Sequence, residues 1–177
     1  MRLGVAITIT IGMMLLFSAS AFGQLRLVPM KYSKVKLING KHAAVADLEN
    51  DMSDGTLPGN PPHKYRVLFT TQKDGFYYLV ANVQSHSPIT SPTAPCGGDS
   101  PQSIIWIKAD KTLKTREIKS EIYASCSYNY YGSKVRTKNG KIRIDYGGRD
   151  KKTLTYDNTK PEAGLIVETM VEEWPKK

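Results

Sequence analysis

The 177-residue chain predicts an all-β fold. Apolar residues recur with a period of two along almost its whole length, where a helix would show 3.6. Asn39-Gly40, Asp74-Gly75 and Asn139-Gly140 each stand between such alternations, and these dipeptides are the strongest short hairpin signals. No stretch carries a persuasive amphipathic helical stripe.

The first segment reads as an address. Arg2 supplies the positive charge of a secretory signal, Leu3 to Phe17 its apolar run, and Ser18 to Gly23 its small residues. Cleavage is expected after Gly23, leaving residues 24–177 as one all-β domain. The apolar run is shorter than the roughly 20 residues of a membrane-spanning helix. No cysteine lies near the cleavage point, so the protein is not expected to be a lipoprotein. The expected location is periplasmic or secreted.

The strands follow in order. Val35 to Val45 forms a first hairpin around Asn39-Gly40. Arg66 to Val83 forms a second around Asp74-Gly75, with Phe69 opposite Val80 and Leu68 opposite Ala81. Both faces of this hairpin are partly apolar, so it should be covered on both sides. Ser103 to Lys108 and Leu113 to Ser125 make the third pair. Lys134 to Lys138 and Lys141 to Tyr146 make the fourth, around Asn139-Gly140. Thr153 to Tyr156 and Gly164 to Met170 close the series, and Glu168 to Trp174 suits either a strand or a short helical turn. Two proline-rich connections, 48–63 and 84–102, interrupt the strands without separating halves that could each bury a core. Sequential hairpins imply an antiparallel meander of about 8–10 strands, closed as a barrel or folded as a two-sheet sandwich.

An exported chain with two cysteines favours a Cys96–Cys126 disulfide. Pairing them across the third hairpin sets Ile104 opposite Ile118, Trp106 opposite Arg116 and Lys108 opposite Lys114. Such a bond would contribute about 3–4 kcal/mol through unfolded-state entropy.

Catalytic and cofactor signals are weak. Cys96-Gly97-Gly98-Asp99-Ser100 resembles the Cys-x-Gly-Asp-Ser run of trypsin-like serine proteases. That family has a glycine after its nucleophile, where Pro101 stands here, and needs a longer chain for its double barrel. A hydrolase would have to bring His86, Asp99 and Ser100 together by other means. Asp47, Glu49, Asp51 and Asp54 offer oxygen ligands to a hard cation. However, Met52 and Pro58 occupy the glycine and glutamate positions of a calcium loop, and a solvated turn is expected. There is no phosphate-binding glycine loop and no zinc-like spacing, so no cofactor or metal is expected.

The charge is more informative. The chain has 25 Lys+Arg against 16 Asp+Glu, a net +9. Between Lys108 and Lys152 there are 13 basic and 5 acidic residues, while the rest of the chain after Gly23 is balanced. Lys134, Arg136, Lys138, Lys141 and Arg143 share one face of the fourth hairpin, and Arg136 directly faces Arg143. Like charges in register destabilise a strand pair, so solvent or an anion must tolerate them. Tyr128, Tyr130 and Tyr131 lie in a Tyr/Ser/Asn/Gly loop of the composition found in binding surfaces. Together with Arg116 and Trp106, these residues form the candidate binding set. The leading expectation is a non-enzymatic binding protein for an anionic polysaccharide, lipid headgroup or acidic protein. Nucleic acid ranks last, since no nucleic-acid motif is present. The alternative is a barrel carrying a small apolar ligand between residues such as Leu79, Val80, Ile142 and Ile144.

Overall fold

Antiparallel strands account for nearly all the regular structure in a computed structural model that describes residues 25–31, 33–48, 62–85, 100–126, 129–131, 134–148 and 150–170. β1 (Arg26–Pro29), β2 (Lys34–Asn39) and β3 (His42–Asp47) form a first sheet. β4 (Pro62–Lys73), β5 (Phe76–Ser85), β6 (Gln102–Ala109) and β7 (Thr115–Ala124) form a second, in sequential order. β8 (Arg136–Lys138), β9 (Lys141–Gly147), β10 (Lys151–Asp157) and β11 (Ile166–Met170) form a third, with a 3₁₀ turn at Pro161–Ala163. Among the described residues no helix is long and apolar enough to cross a membrane.

The expected barrel or two-sheet sandwich is corrected to three sheets, none closed on itself. The physical reason lies in β5 and β6. Leu79, Ala81, Val83, Ile105 and Ile107 point to one side and pack with Val35, Leu37 and Ala46 of the first sheet. Tyr78, Val80, Ile104 and Trp106 point to the other and pack with Ile142, Ile144, Leu154 and Tyr156 of the third. A sheet apolar on both faces needs a cover on each, as the second hairpin's composition indicates. The four residues expected to line a barrel cavity divide between these two cores. Leu79, Val80, Ile142 and Ile144 are all at most 1% exposed.

The turns follow local chemistry. Asp74 and Gly75 (φ 50° and 81°) and Asn139 and Gly140 (φ 50° and 72°) have the two positive φ values of type I′ hairpins. In the first hairpin Asn39 still pairs, with His42, so the loop is Gly40-Lys41. Gly40, at φ 57°, then occupies the first central position, where a type II′ turn requires glycine. Between β9 and β10 a Cβ on Gly147 (φ 118°) would lie 2.1 Å from the Asp150 carbonyl oxygen, so only glycine fits that turn.

Two registers differ from those read in the sequence. Phe69 pairs with Val80 as expected, but Val67 pairs with Ala81, leaving Leu68 in a β-bulge. In the third hairpin Ile104 faces Glu121, Trp106 faces Lys119 and Lys108 faces Glu117. The cause is Asp110, whose Oδ1 accepts from the Thr112 amide and hydroxyl (2.8 and 2.6 Å) and from the Lys114 amide (3.0 Å). That network holds a longer loop, with Leu113 turned inward at φ 65°. An odd shift of register exchanges the two faces of one strand. Ile104 and Ile118 accordingly fall in opposite cores. At the base of the hairpin Gln102 pairs with Ala124 and the ladder ends, with Ser125 bridging Tyr130 instead. The register expected from a cross-hairpin disulfide is therefore not the one formed. Cys96 itself lies outside the described residues.

The Asp110 network predicts a pH effect. Its hydrogen bond from Thr112 comes first, and with those from Arg116 and Lys114 it lowers the carboxyl to a pKa of about 2. A depressed carboxyl stabilises the fold above its unfolded pKa and loses that contribution as pH falls through the folded value. The melting temperature of the native chain should exceed that of Asp110→Asn at neutral pH. The gap should close between about pH 4 and pH 2.

Candidate anion-binding site

The bulge at Leu68 has a consequence for charge. With a regular register from the Asp74-Gly75 turn, Arg66 would share a face with Val83 and Ala81, toward the first sheet. The extra residue instead pairs Arg66 with Asn82 and Lys64 with Gln84. Both cations are thereby delivered to the face that looks toward the third sheet. A second irregularity, between the pairs Ser103/Ile122 and Gln102/Ala124, turns Tyr123 and Ala124 together toward that same face. Bulges recur where a strand must re-aim a side chain.

The two bulges flank a cleft of about 530 Å³. Lys64 and Arg66 come from β4, Asn82 and Gln84 from β5, Gln102 from β6, and Tyr123 and Ala124 from β7. Lys134 and Val135, leading into β8, complete the wall. The lining therefore holds three cations, three carboxamides and no carboxylate among the described residues. The Tyr123 hydroxyl donates to Gln102 Oε1 at 2.7 Å and lies 3.1 Å from Asn82 Oδ1. Among the described residues the Gln102 amide nitrogen and both ends of the Gln84 amide have no hydrogen-bond partner, which leaves them for a ligand. Burial raises the Tyr123 phenol, against the lowering effects of Asn82 and the Arg66 charge. Lys64, Arg66 and Lys134 are exposed and enter no ion pair among the described residues. A cation cluster without local carboxylates concentrates positive potential in a concave surface.

The residues singled out in the sequence are dispersed by the structure. The fourth hairpin has the register read from its turn: Arg136 opposite Arg143, Thr137 opposite Ile142, Lys138 opposite Lys141. Two of its cations are neutralised on their own sheet, Lys141 by Asp157 (3.0 Å) and Arg143 by Asp145 (3.1 Å). Hydrogen bonds, first from Thr159 and then from Lys141, hold Asp157 at a pKa of about 2. Those from Arg143 and then Thr153 lower Asp145. Arg136 and Lys138 remain exposed on the edge strand β8, and Lys134 faces the cleft.

Arg116 is paired with Asp110 at 2.7 Å, beside the hairpin tips. A more open depression there mixes Asp74 and Asp110 with Lys108, Lys111 and Arg116, so its charges largely cancel. Trp106 is fully buried and donates its indole N–H to the Pro161 carbonyl at 3.0 Å, which removes it from any binding surface. Tyr130 packs edge-on against Tyr146 (5.7 Å between centroids), under the Lys152 ammonium. Tyr131 is 68% exposed, and Tyr128 lies outside the described residues.

Of the hydrolase set, Ser100 is described, while His86 and Asp99 lie outside the described residues, as do Glu49, Asp51 and Asp54. Asp47 pairs with Lys34 at 3.6 Å.

Lys64, Arg66, Asn82, Gln84, Gln102 and Tyr123 were not among the residues the sequence picked out. The usable signal was the polar end of an otherwise apolar strand. Asn82 and Gln84 occupy alternate positions of β5 where buried residues precede them, and Gln102 opens β6. Comparison with family models, with curated proteins and with solved structures found no match to this chain.

Proposed function

We propose that the chain is an exported, non-enzymatic binding protein whose cleft and adjoining edge strand hold an anionic partner. One observation carries the reading: Lys64, Arg66 and Lys134 converge from separate parts of the chain on a concave site with no carboxylate in its lining among the described residues. Their sign-matched convergence depends on a bulge that a regular strand pair would lack. The signal-like segment ending at Gly23 supports delivery outside the cytoplasm, with the partner among anionic envelope or extracellular material. The Cys96–Cys126 bond belongs to the same proposal, as a structural tether between the proline-rich loop and the end of β7.

Heparin-type chromatography across a salt gradient tests the reading. The native protein should elute at high salt, and Lys64→Glu with Arg66→Glu should elute much earlier. Arg136→Glu should act in the same direction, while Arg143→Glu should act less, because Asp145 already holds that guanidinium. Elution of the native protein at low salt, unchanged by the cleft variants, would contradict the proposal. The mass of the exported protein should correspond to a chain beginning at Gln24 with no alkylatable thiol.

A further inference from the structure

We infer that the partner is a linear acidic polysaccharide, read by its hydroxyls in the cleft and by its carboxylates along β8; the inference rests on the cleft being an anion site. The first argument is the chemistry of the lining. A lone phosphate or sulfate needs convergent donors only. This site adds side-chain amides, which donate and accept at once, as sugar hydroxyls require. Tyr123 fixes Gln102 by its oxygen, which aims a rigid N–H donor, and Gln84 contributes an amide that has no hydrogen-bond partner among the described residues.

The second argument is extent. The cleft has the volume of a small-ligand site, yet the cations do not stop at its wall. From Lys134 the chain runs directly into β8, where Arg136 and Lys138 stand at alternate positions, about 7 Å apart in an extended strand. Because β8 is an edge strand, that row is open to solvent along its length. A cleft continued by a linear row of cations fits a charged polymer better than a compact anion.

The third argument is what the site lacks. Among the described residues its apolar lining is Ala124, Val135 and the ring of Tyr123, which is only 2% exposed, so no projecting aromatic or aliphatic anchor of the kind a protein interface uses is present there. Most of the exposed large apolar side chains lie elsewhere: Val28, Met30 and Val45 at the first sheet, and Ile166, Val167 and Met170 on β11. Val67, paired with Ala81, is on the opposite face of β4 from Arg66, while the exposed ring of Tyr131 stands three residues before Lys134. Among the described residues none of these side chains lines the cleft to enter a bilayer beside a bound headgroup.

The test uses the full mature protein and three probes: a linear polyuronate, poly-L-glutamate matched in carboxylate number, and anionic phospholipid vesicles. Binding is measured by titration calorimetry at low salt for the native protein, for Gln84→Ala, and for Lys64→Glu with Arg66→Glu. The polyuronate should bind most tightly. Gln84→Ala should weaken it about fivefold, the worth of one hydrogen bond, and leave polyglutamate unchanged. The double cation variant should weaken both polymers.

Gln84→Glu provides a near-isosteric control that keeps the packing and should abolish polyuronate binding. If polyglutamate or vesicles bind as well as the polyuronate and Gln84→Ala has no effect, the anion site stands and the polysaccharide inference is overturned. If no probe binds at low salt, both fail together.

Discussion

Trp106→Ala should lower the free energy of unfolding by about 3–5 kcal/mol, the largest loss expected from any single replacement in the described core. Three contributions meet at this side chain. The ring is 0% exposed and occupies the centre of the core between the middle and third sheets. It lies 6.0 Å from the Tyr78 ring, with the Lys119 ammonium 5.4 Å from its centroid. Its N–H is the donor that ties the Pro161 carbonyl, and hence the 3₁₀ turn before β11, to the middle sheet. Trp106→Phe keeps much of the packing and removes only that donor and some volume, so its cost should be nearer 1–2 kcal/mol. Urea unfolding followed by circular dichroism separates the two. A loss below about 1 kcal/mol for Trp106→Ala would show that the third sheet is not packed on the middle one as described.

Reversing the cleft charges should have the largest effect on binding. Lys64→Glu, Arg66→Glu and Lys134→Glu together should weaken polyuronate affinity by about 100-fold, equivalent to about 2.7 kcal/mol. The fold should be nearly unaffected. All three side chains are exposed, and none makes an ion pair among the described residues that the change would break. Surface changes away from caps, cores and networks usually fall within about 0.5 kcal/mol of neutral. An unchanged unfolding midpoint with lost binding therefore assigns the effect to the site. By contrast, reversing Lys141 also breaks its 3.0 Å pair with Asp157, so any binding change there would be mixed with local rearrangement.

Much of the fold was legible because turn chemistry is local. Asp74-Gly75 and Asn139-Gly140 demand positive φ at both positions, which only a few residue types supply readily, and each dipeptide fixed its hairpin. For the fourth hairpin this extended to the whole register, including the Arg136–Arg143 opposition. The register of the third hairpin was not legible from a cross-hairpin disulfide, because the side chain that holds the loop, Asp110, sets it instead. The layer count was missed for a different reason. Two-sided apolar strands announce that both faces are covered, but barrel and sandwich differ from three layers only in long-range pairing.

The candidate site was the least legible part. Lys64 and Arg66 sit far from the basic window of the sequence, and a single extra residue at Leu68 decides which face they occupy. Nothing in the local pattern of Val67-Leu68-Phe69 marks that bulge. The basic hairpin was visible as sequence, yet Asp145 and Asp157 take up part of its charge in ways that strand numbering alone does not show.

The salt dependence of polyuronate binding tests the central claim most directly. Log affinity is measured against log salt concentration for the native protein and for the combined Lys64→Ala, Arg66→Ala and Lys134→Ala variant. Each cation that releases a counterion on binding adds roughly one unit to the slope. The account predicts a native slope steeper by about 2–3 than that of the variant. Equal slopes and equal affinities would contradict it, because the polyanion would then be held somewhere other than this cleft.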